Sequence, residues 1–254
     1  MITSTERVTG KSPALHWPGA DSRMLPDAPA VAAAAADIIL QQALAALAAR
    51  NRFHLVLAGG STPVAVYRLL AQVDQDWSGW RFYLGDERCL PPDDPERNSR
   101  MAREAWLEPA GIAAQQCAEI PAELGPEAAA QAYAPQVAEA LPFDLVLLGM
   151  GEDGHTASLF PGLLPPERGG AQETDQEDPP LVMAVRQAPK PPPERVSLTP
   201  YSLGASRCIL MLVTGAAKHS ALRAWQRGED LPIARVAARS SKTLLLLDQA
   251  AAQG

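Results

Sequence analysis

Four short segments of the chain concentrate residue types able to bind an anion or move a proton. The sharpest reads Gly149-Met150-Gly151-Glu152-Asp153-Gly154-His155-Thr156. An imidazole is the usual proton carrier near neutrality, with an unperturbed pKa of about 6.5, so His155 is expected to act as a general base. The segment formally contains G-x-G-x-x-G, yet Pro161 follows too soon for the long helix of a dinucleotide site. Glu152 and Asp153 would also face the pyrophosphate's charge, so a dinucleotide is excluded. Taken alone, the segment also fits a histidine that merely caps a turn.

Gly59-Gly60-Ser61-Thr62-Pro63 is the second segment. Its glycines permit close backbone approach, Thr62 can cap a helix and Pro63 suits a first helical turn. A helix opening there would offer amides and the Ser61 and Thr62 hydroxyls to a phosphate; a plain capped turn fits equally well. In the third, Gly85-Asp86-Glu87-Arg88-Cys89, Asp86 or Glu87 could orient a base or a hydroxyl while Arg88 holds an anionic oxygen. By itself this cluster also reads as a solvated charged turn, with Cys89 an inert thiol. The fourth, Thr214-Gly215-Ala216-Ala217-Lys218-His219, places a lysine in the first turn of a helix, where a cation is disfavoured unless an anion binds or the side chain snorkels away. Arg195 is a further candidate phosphate clamp.

These segments must be positioned by the elements between them. Short β-branched and leucine-rich runs predict strands over 53–58, 81–85, 144–150, 181–185, 207–214 and 243–248. They alternate with helical patterns over 30–49, 63–71, 98–107, 127–140 and 216–227. Near-continuous apolar runs such as Leu145-Val146-Leu147-Leu148 suit strands covered on both faces. The expected fold is therefore α/β, a three-layer Rossmann-like domain with a mainly parallel central sheet flanked by helices on both faces. One domain is expected over 1–254. Residues 161–180 read as a mobile acidic loop, and 189–193 as an extended lead-in to Arg195. In such a sheet ligands bind beyond the carboxyl ends of the strands, where all four segments fall.

Composition narrows the classes. With 22 Lys and Arg against 29 Asp and Glu among 254 residues, the net charge of −7 argues against a nucleic-acid partner. Three cysteines without a C-x-x-C pair suit a reducing compartment, and the protein is expected to be cytoplasmic. No run approaches the roughly 18 apolar residues of a membrane helix, and the N-terminus lacks the apolar core expected of a signal peptide. There is no G-x-S-x-G elbow, no P-loop and no H-E-x-x-H helix, and the four histidines make no metal-ligand spacing. A covalent serine mechanism or a metal hydrolase is therefore not supported. Acid–base chemistry on a bound anionic substrate is what remains.

Leu57-Ala58-Gly59-Gly60-Ser61-Thr62-Pro63, Gly85-Asp86-Glu87-Arg88, the run from Gly149 to Pro161 and Arg195-Val196-Ser197-Leu198-Thr199 together resemble the 6-phosphogluconolactonase family. The resemblance runs in order from about Ala30 to the C-terminus. It implies a domain shared with glucosamine-6-phosphate deaminases, and hydrolysis of 6-phospho-D-glucono-1,5-lactone in the oxidative pentose phosphate pathway. No metal or organic cofactor is implied, and the partner would be a phosphorylated sugar lactone, acted on by a monomer or weak homodimer.

Carried over by position, phosphate would rest on Gly59, Gly60, Ser61 and Thr62, with Arg88, Arg195 and Lys218 around it. His155 and Asp86 would sit at the lactone, Asp86 orienting the imidazole or a sugar hydroxyl. Gly154 and its neighbours would offer backbone N–H groups to the oxyanion. The deaminase branch carries an Asn-Glu-Pro where this chain has Ser158-Leu159-Phe160-Pro161. A non-catalytic phosphosugar sensor is the rival from another class, though no basic patch or helix-turn-helix accompanies this sequence.

Overall fold

Strands that are apolar at every position need cover on both faces, and the chain supplies it with helices threaded between parallel strands. In the computed structural model, residues 16–164 and 179–254 are described. In chain order the elements are β1 (Asp21–Leu25), α1 (Ala28–Arg50), β2 (Phe53–Leu57), α2 (Ser61–Leu70), β3 (Trp80–Leu84), β4 (Asp86–Arg88), α3 (Asn98–Ala102), β5 (Cys117–Ala118) and α4 (Pro126–Ala140). Then come β6 (Leu145–Gly149), β7 (Val182–Val185), β8 (Arg195–Leu198), α5 (Pro200–Gly204), β9 (Ile209–Val213), α6 (His219–Gln226), α7 (Pro232–Ala237), β10 (Thr243–Asp248) and α8 (Gln249–Gln253).

Seven strands form one sheet in the order β1-β10-β9-β6-β2-β3-β5, parallel at every pairing. Every residue of β2 and β9 is buried; because side chains alternate between faces, both faces of these strands are covered. Each such leucine or isoleucine contributes about 1.5–3 kcal/mol by leaving water. The chain runs outward from β2 through β3 to β5, then returns to β6 on the other side of β2 and continues outward. The order therefore reverses between β2 and β6, and a crevice opens at their carboxyl ends.

Three expectations change. The strand at 181–185 is absent from the central sheet: β7 pairs with β8, and β8 with β4, in a separate antiparallel sheet. Apolar content marks this segment as a strand, but its partner is set by the hairpin returning it to β8. Secondly, the connector 189–193 is that hairpin's loop rather than an extended lead-in. The Ala188 N–H donates to the Pro193 carbonyl at 3.0 Å and closes it. Thirdly, α1, with 23 residues, is by length and composition apolar enough to cross a membrane. Its alanines count as apolar although they bury little area. Val31, Ala35, Ile39, Ala43 and Ala46 form one buried stripe against the sheet, whereas Leu44 on the opposite side is 72% exposed. Residues 165–178, most of the expected acidic loop, lie outside the described residues.

Candidate active site

Two buried tyrosines fix the places where the functional loops leave the sheet. At the end of β2 the Tyr67 hydroxyl donates to the Ala58 carbonyl (2.8 Å) and accepts from the Ala58 N–H (2.9 Å). Tyr133 does the same for Leu84 at the end of β3, donating at 3.2 Å and accepting at 2.9 Å. Both rings are fully buried, which pushes their pKa values up and keeps them as neutral phenols. Backbone groups that a parallel sheet would leave unpaired at its rim are thereby satisfied.

The β2 loop then turns through Gly60, at φ +107, into α2. Thr62 does not cap that helix. Its N-cap is Gly60, no side chain caps it, and the Thr62 hydroxyl instead bonds the Thr214 hydroxyl at 2.6 Å, linking this loop to the one after β9. The first-turn amides of α2 therefore remain without a side-chain acceptor. Gly59 is required by close approach, since a Cβ there would lie 2.2 Å from Asn98 Oδ1.

Asn98 was not anticipated as a site residue, and only the fold brings it here. Its Nδ2 donates to the Asp86 carbonyl at 3.0 Å and to Asp86 Oδ1 at 3.1 Å. It is placed by Glu87, which is fully buried. One Glu87 oxygen accepts the Arg88 and Asn98 N–H groups and the other accepts that of Ser99, each at 2.8 Å. Arg97 Nε lies 3.3 Å from Glu87 and Arg97 Nη1 reaches Glu123 at 2.9 Å, so the buried carboxylate is paired. Glu87 is thus a clip joining β4 to α3, and it leaves Asp86 to face the cleft. Cys89 is indeed inert: burial, with the Glu194 charge nearby, pushes its thiol up to about 11.

The loop after β6 presents His155 on a tight turn. Thr156 donates its hydroxyl to the Gly149 carbonyl at 2.8 Å, and Ala157 adopts φ +47. A Cβ on Gly151 would sit 1.9 Å from His155 Nδ1, so only glycine lets the imidazole fold down there. Asp153 Oδ1, rather than Asp86, bonds His155 Nδ1. A carboxylate can only accept, so Nδ1 carries the proton and Nε2 keeps its lone pair. Burial lowers the His155 pKa from its ordinary value, opposed by Asp153, helped by Lys190 and opposed again by Asp86. The net direction is down, which keeps the imidazole neutral at pH 7. Phe160, fully buried, lies against the His155 ring at 4.7 Å between centroids. Asp86 is held instead by Ser158, whose hydroxyl donates to Asp86 Oδ2 at 2.5 Å.

Gly154 does not line the cleft. Its N–H is spent on the Gly151 carbonyl (3.1 Å), its carbonyl accepts from Ile233, and its φ of +80 makes it the pivot of the turn, packed against Leu231. The amides of Gly151, His155 and Thr156 are also engaged, with the His155 carbonyl, Asp153 and the Leu159 carbonyl. These four amides are therefore not available to an oxyanion.

Gly59, Gly60, Ser61, Thr62, Asp86, Arg88, His155, Arg195 and Lys218 all border one cleft of about 250 Å³ at the β2–β6 crevice. Lys190, unremarked in the sequence, borders it too. Arg195 is buried, with its Cζ 5.5 Å from the Phe160 ring centre. Its Nε donates to the Pro192 carbonyl at 3.0 Å, and its Nη2 to the carbonyls of Lys190 (3.0 Å) and Pro191 (3.1 Å). Burial lowers the Lys218 pKa, opposed by Glu152 and helped by Lys190. The loop carrying Lys218 is anchored where Asp248 accepts the Gly215 N–H at 3.0 Å.

Comparison with known proteins places the chain in a family. The model of the glucosamine-6-phosphate isomerases/6-phosphogluconolactonase family matches residues 26–245. A 6-phosphogluconolactonase of Mycobacterium leprae is 40% identical over 82% of this chain and 87% of its own. The human 6-phosphogluconolactonase is 35% identical over 87% of this chain and 88% of its own. The crystal structure of 6-phosphogluconolactonase from Thermotoga maritima superposes with a TM-score of 0.77 at 29% identity, covering 90% of this chain and 99% of that one. The switch-point cleft, the glycine turn that carries His155 and a match over most of the chain lead to one assignment: this protein belongs to the glucosamine-6-phosphate isomerase/6-phosphogluconolactonase family.

Proposed function

We propose that the protein hydrolyses 6-phospho-D-glucono-1,5-lactone to 6-phospho-D-gluconate in the cytoplasm, within the oxidative pentose phosphate pathway. The observation that carries this reading is His155, held neutral by burial with its Nδ1–H on Asp153 and Nε2 left for a water. In this mechanism Nε2 takes a proton from water as the oxygen adds to C1. The resulting imidazolium, stabilised by Asp153, returns that proton to the ring oxygen as the C1–O bond breaks. Asp86, fixed by Ser158 and Asn98, orients a sugar hydroxyl. The phosphate sits on the α2 N-terminus, Ser61 and Thr62, with Arg88 and Lys218 neutralising its charge.

The resemblance gives the deaminase branch an Asn-Glu-Pro after the histidine. Here Leu159 and Phe160 are buried at that place, and Ser158 is committed to Asp86, so no carboxylate from this segment reaches the cleft. The proposed actor on this substrate is a monomer or weak homodimer.

The test is the initial rate of 6-phosphogluconate formation from freshly made lactone, above the spontaneous blank, for wild type and His155→Ala. A wild-type rate that falls by ~10²–10⁴-fold in the folded variant is expected. Ammonia release from glucosamine 6-phosphate without lactone turnover would overturn the reading. Saturable 6-phosphogluconate binding without any turnover would point to a sensor instead.

A further inference from the structure

Water addition to the lactone places a full negative charge on the C1 oxygen, and something must hold it. The four amides of the glycine turn expected to do so are spent within the turn. Arg195 borders the cleft, but its Nε and Nη2 are occupied by three carbonyls of the β7–β8 loop, which leaves Nη1 alone without an acceptor among the described residues. Arg88 Nη1 is likewise given to the Glu96 carbonyl. Lys190 is different. It sits on the loop that Arg195 gathers in, borders the same cleft, is solvent-exposed, and forms no ion pair among the described residues. Its three N–H donors have no protein acceptor there.

Its position is also informative. Lys190 lines the same cleft as His155 and Lys218, and its positive charge adds to the lowering of both their pKa values. The β7–β8 loop is closed at its base and pinned by the Arg195 guanidinium, so this placement does not depend on the lysine's own contacts.

We propose that Lys190 is a catalytic residue, the cation that binds the C1 oxygen as it becomes an oxyanion, with Arg195 the positioning residue that holds its loop over the cleft. The proposal rests on the lactonase reading. As the water oxygen bonds to C1 and His155 takes the proton, the carbonyl π pair moves to the C1 oxygen and is held by the Lys190 ammonium. When the tetrahedral adduct collapses, that pair re-forms the carbonyl and the C1–ring-oxygen bond breaks. The imidazolium proton passes to the ring oxygen, and the new carboxylic acid loses its own proton to solvent.

The experiment compares wild type with Lys190→Met and Lys190→Arg in kcat, KM, the pH profile and inhibition by inorganic phosphate. His155 titration is followed in parallel by NMR. Removing a donor to an oxyanion costs on the order of 10²-fold in kcat. The expected result is therefore a loss of that size in Lys190→Met, substantial recovery in Lys190→Arg, and an unchanged inhibition constant for phosphate. The His155 pKa should rise in Lys190→Met. Asp153 and Asp86 continue to favour its charged form, Phe160 is uncharged, and only the repelling ammonium has gone.

A raised KM and weaker phosphate inhibition at unchanged kcat would overturn the proposal by making Lys190 a phosphate ligand. Unchanged kinetics with an unmoved His155 titration would remove it from the site. Absence of wild-type turnover would overturn the lactonase reading and this role with it. Wild-type turnover with a fully active Lys190→Met would overturn the role alone.

Discussion

Arg88 and Arg195 lie directly opposite each other across the β4–β8 ladder. Like charges in register destabilise a sheet. Arg195 is buried, and its pKa falls through burial, with Asp86 opposing and Arg88 adding to the fall. Arg195 spends its Nε and Nη2 on the β7–β8 loop, whereas the Arg88 Nε is buried without a hydrogen-bond partner among the described residues. Two juxtaposed cations with different duties suit a cleft that receives an anion. Arg88→Ala should therefore raise KM for the phosphorylated lactone about tenfold or more while leaving the melting temperature unchanged or higher, because a repulsion goes with it. Parallel kinetics and thermal unfolding check this; a fall in stability with normal KM would make Arg88 structural.

Burial lowers the His155 pKa while Asp153 raises it. The proposed mechanism requires the neutral imidazole, so activity should be lost as pH falls through a pKa below the ordinary histidine value of about 6.5. Asp153→Asn removes the group that favours the imidazolium. The acid limb of kcat should then move to lower pH, and kcat on the plateau should fall because the imidazolium formed in the reaction loses its carboxylate. Rate–pH profiles of the two proteins decide the matter. A limb displaced to higher pH would contradict the assignment.

Lys218 stands at the opening of α6, on the loop tied down by Asp248, away from the reacting carbonyl in the proposed pose. A contact made equally in ground and transition states lowers KM without raising kcat. Lys218→Ala should accordingly raise KM more than it lowers kcat, and should weaken inhibition by inorganic phosphate. An unchanged KM would take Lys218 out of the phosphate site.

Glu87 is a buried carboxylate with three backbone donors and a buried arginine beside it. Breaking such a pair strands the remaining charge and costs about 3–5 kcal/mol. Glu87→Gln should thus lower the melting temperature by roughly 2–4 °C for each kcal/mol lost. It should also loosen Asn98 and with it Asp86, so the folded fraction should show reduced kcat. Stability equal to wild type would show that the clip is dispensable.

The core strands were legible in the sequence because their signal is local. Leu145-Val146-Leu147-Leu148 and Ile209-Leu210-Met211-Leu212 can be buried only as strands covered on both faces, and both lie in the central sheet. The loops that follow such strands in a parallel sheet must converge, so His155, Asp86, Lys218 and the Gly59–Gly60 turn could be named in advance as neighbours. Each of them borders the cleft. The two glycines with the tightest neighbours, Gly59 and Gly151, mark where a side chain or an imidazole comes down on the backbone.

Partners set by long-range packing were not legible. Asn98 reaches Asp86 only because a buried glutamate eleven residues earlier takes its N–H, and nothing in the run of letters distinguishes it from any other helix start. The choice of Asp153 over Asp86 for the imidazole depends on a two-residue turn geometry, and the strand at β7 found its partner in β8 through a hairpin that a proline-rich loop closes. Sequence by itself determined which residues carry charge, which runs must be buried and which loops must meet. The tertiary structure alone decided which donors were already spent, and this tied Arg195 Nε and Nη2 to its own loop and brought Lys190 to the cleft. The reason is physical: hydrogen-bond capacity is exhausted pairwise in space, and spacing along the chain does not record which acceptor reaches a donor first.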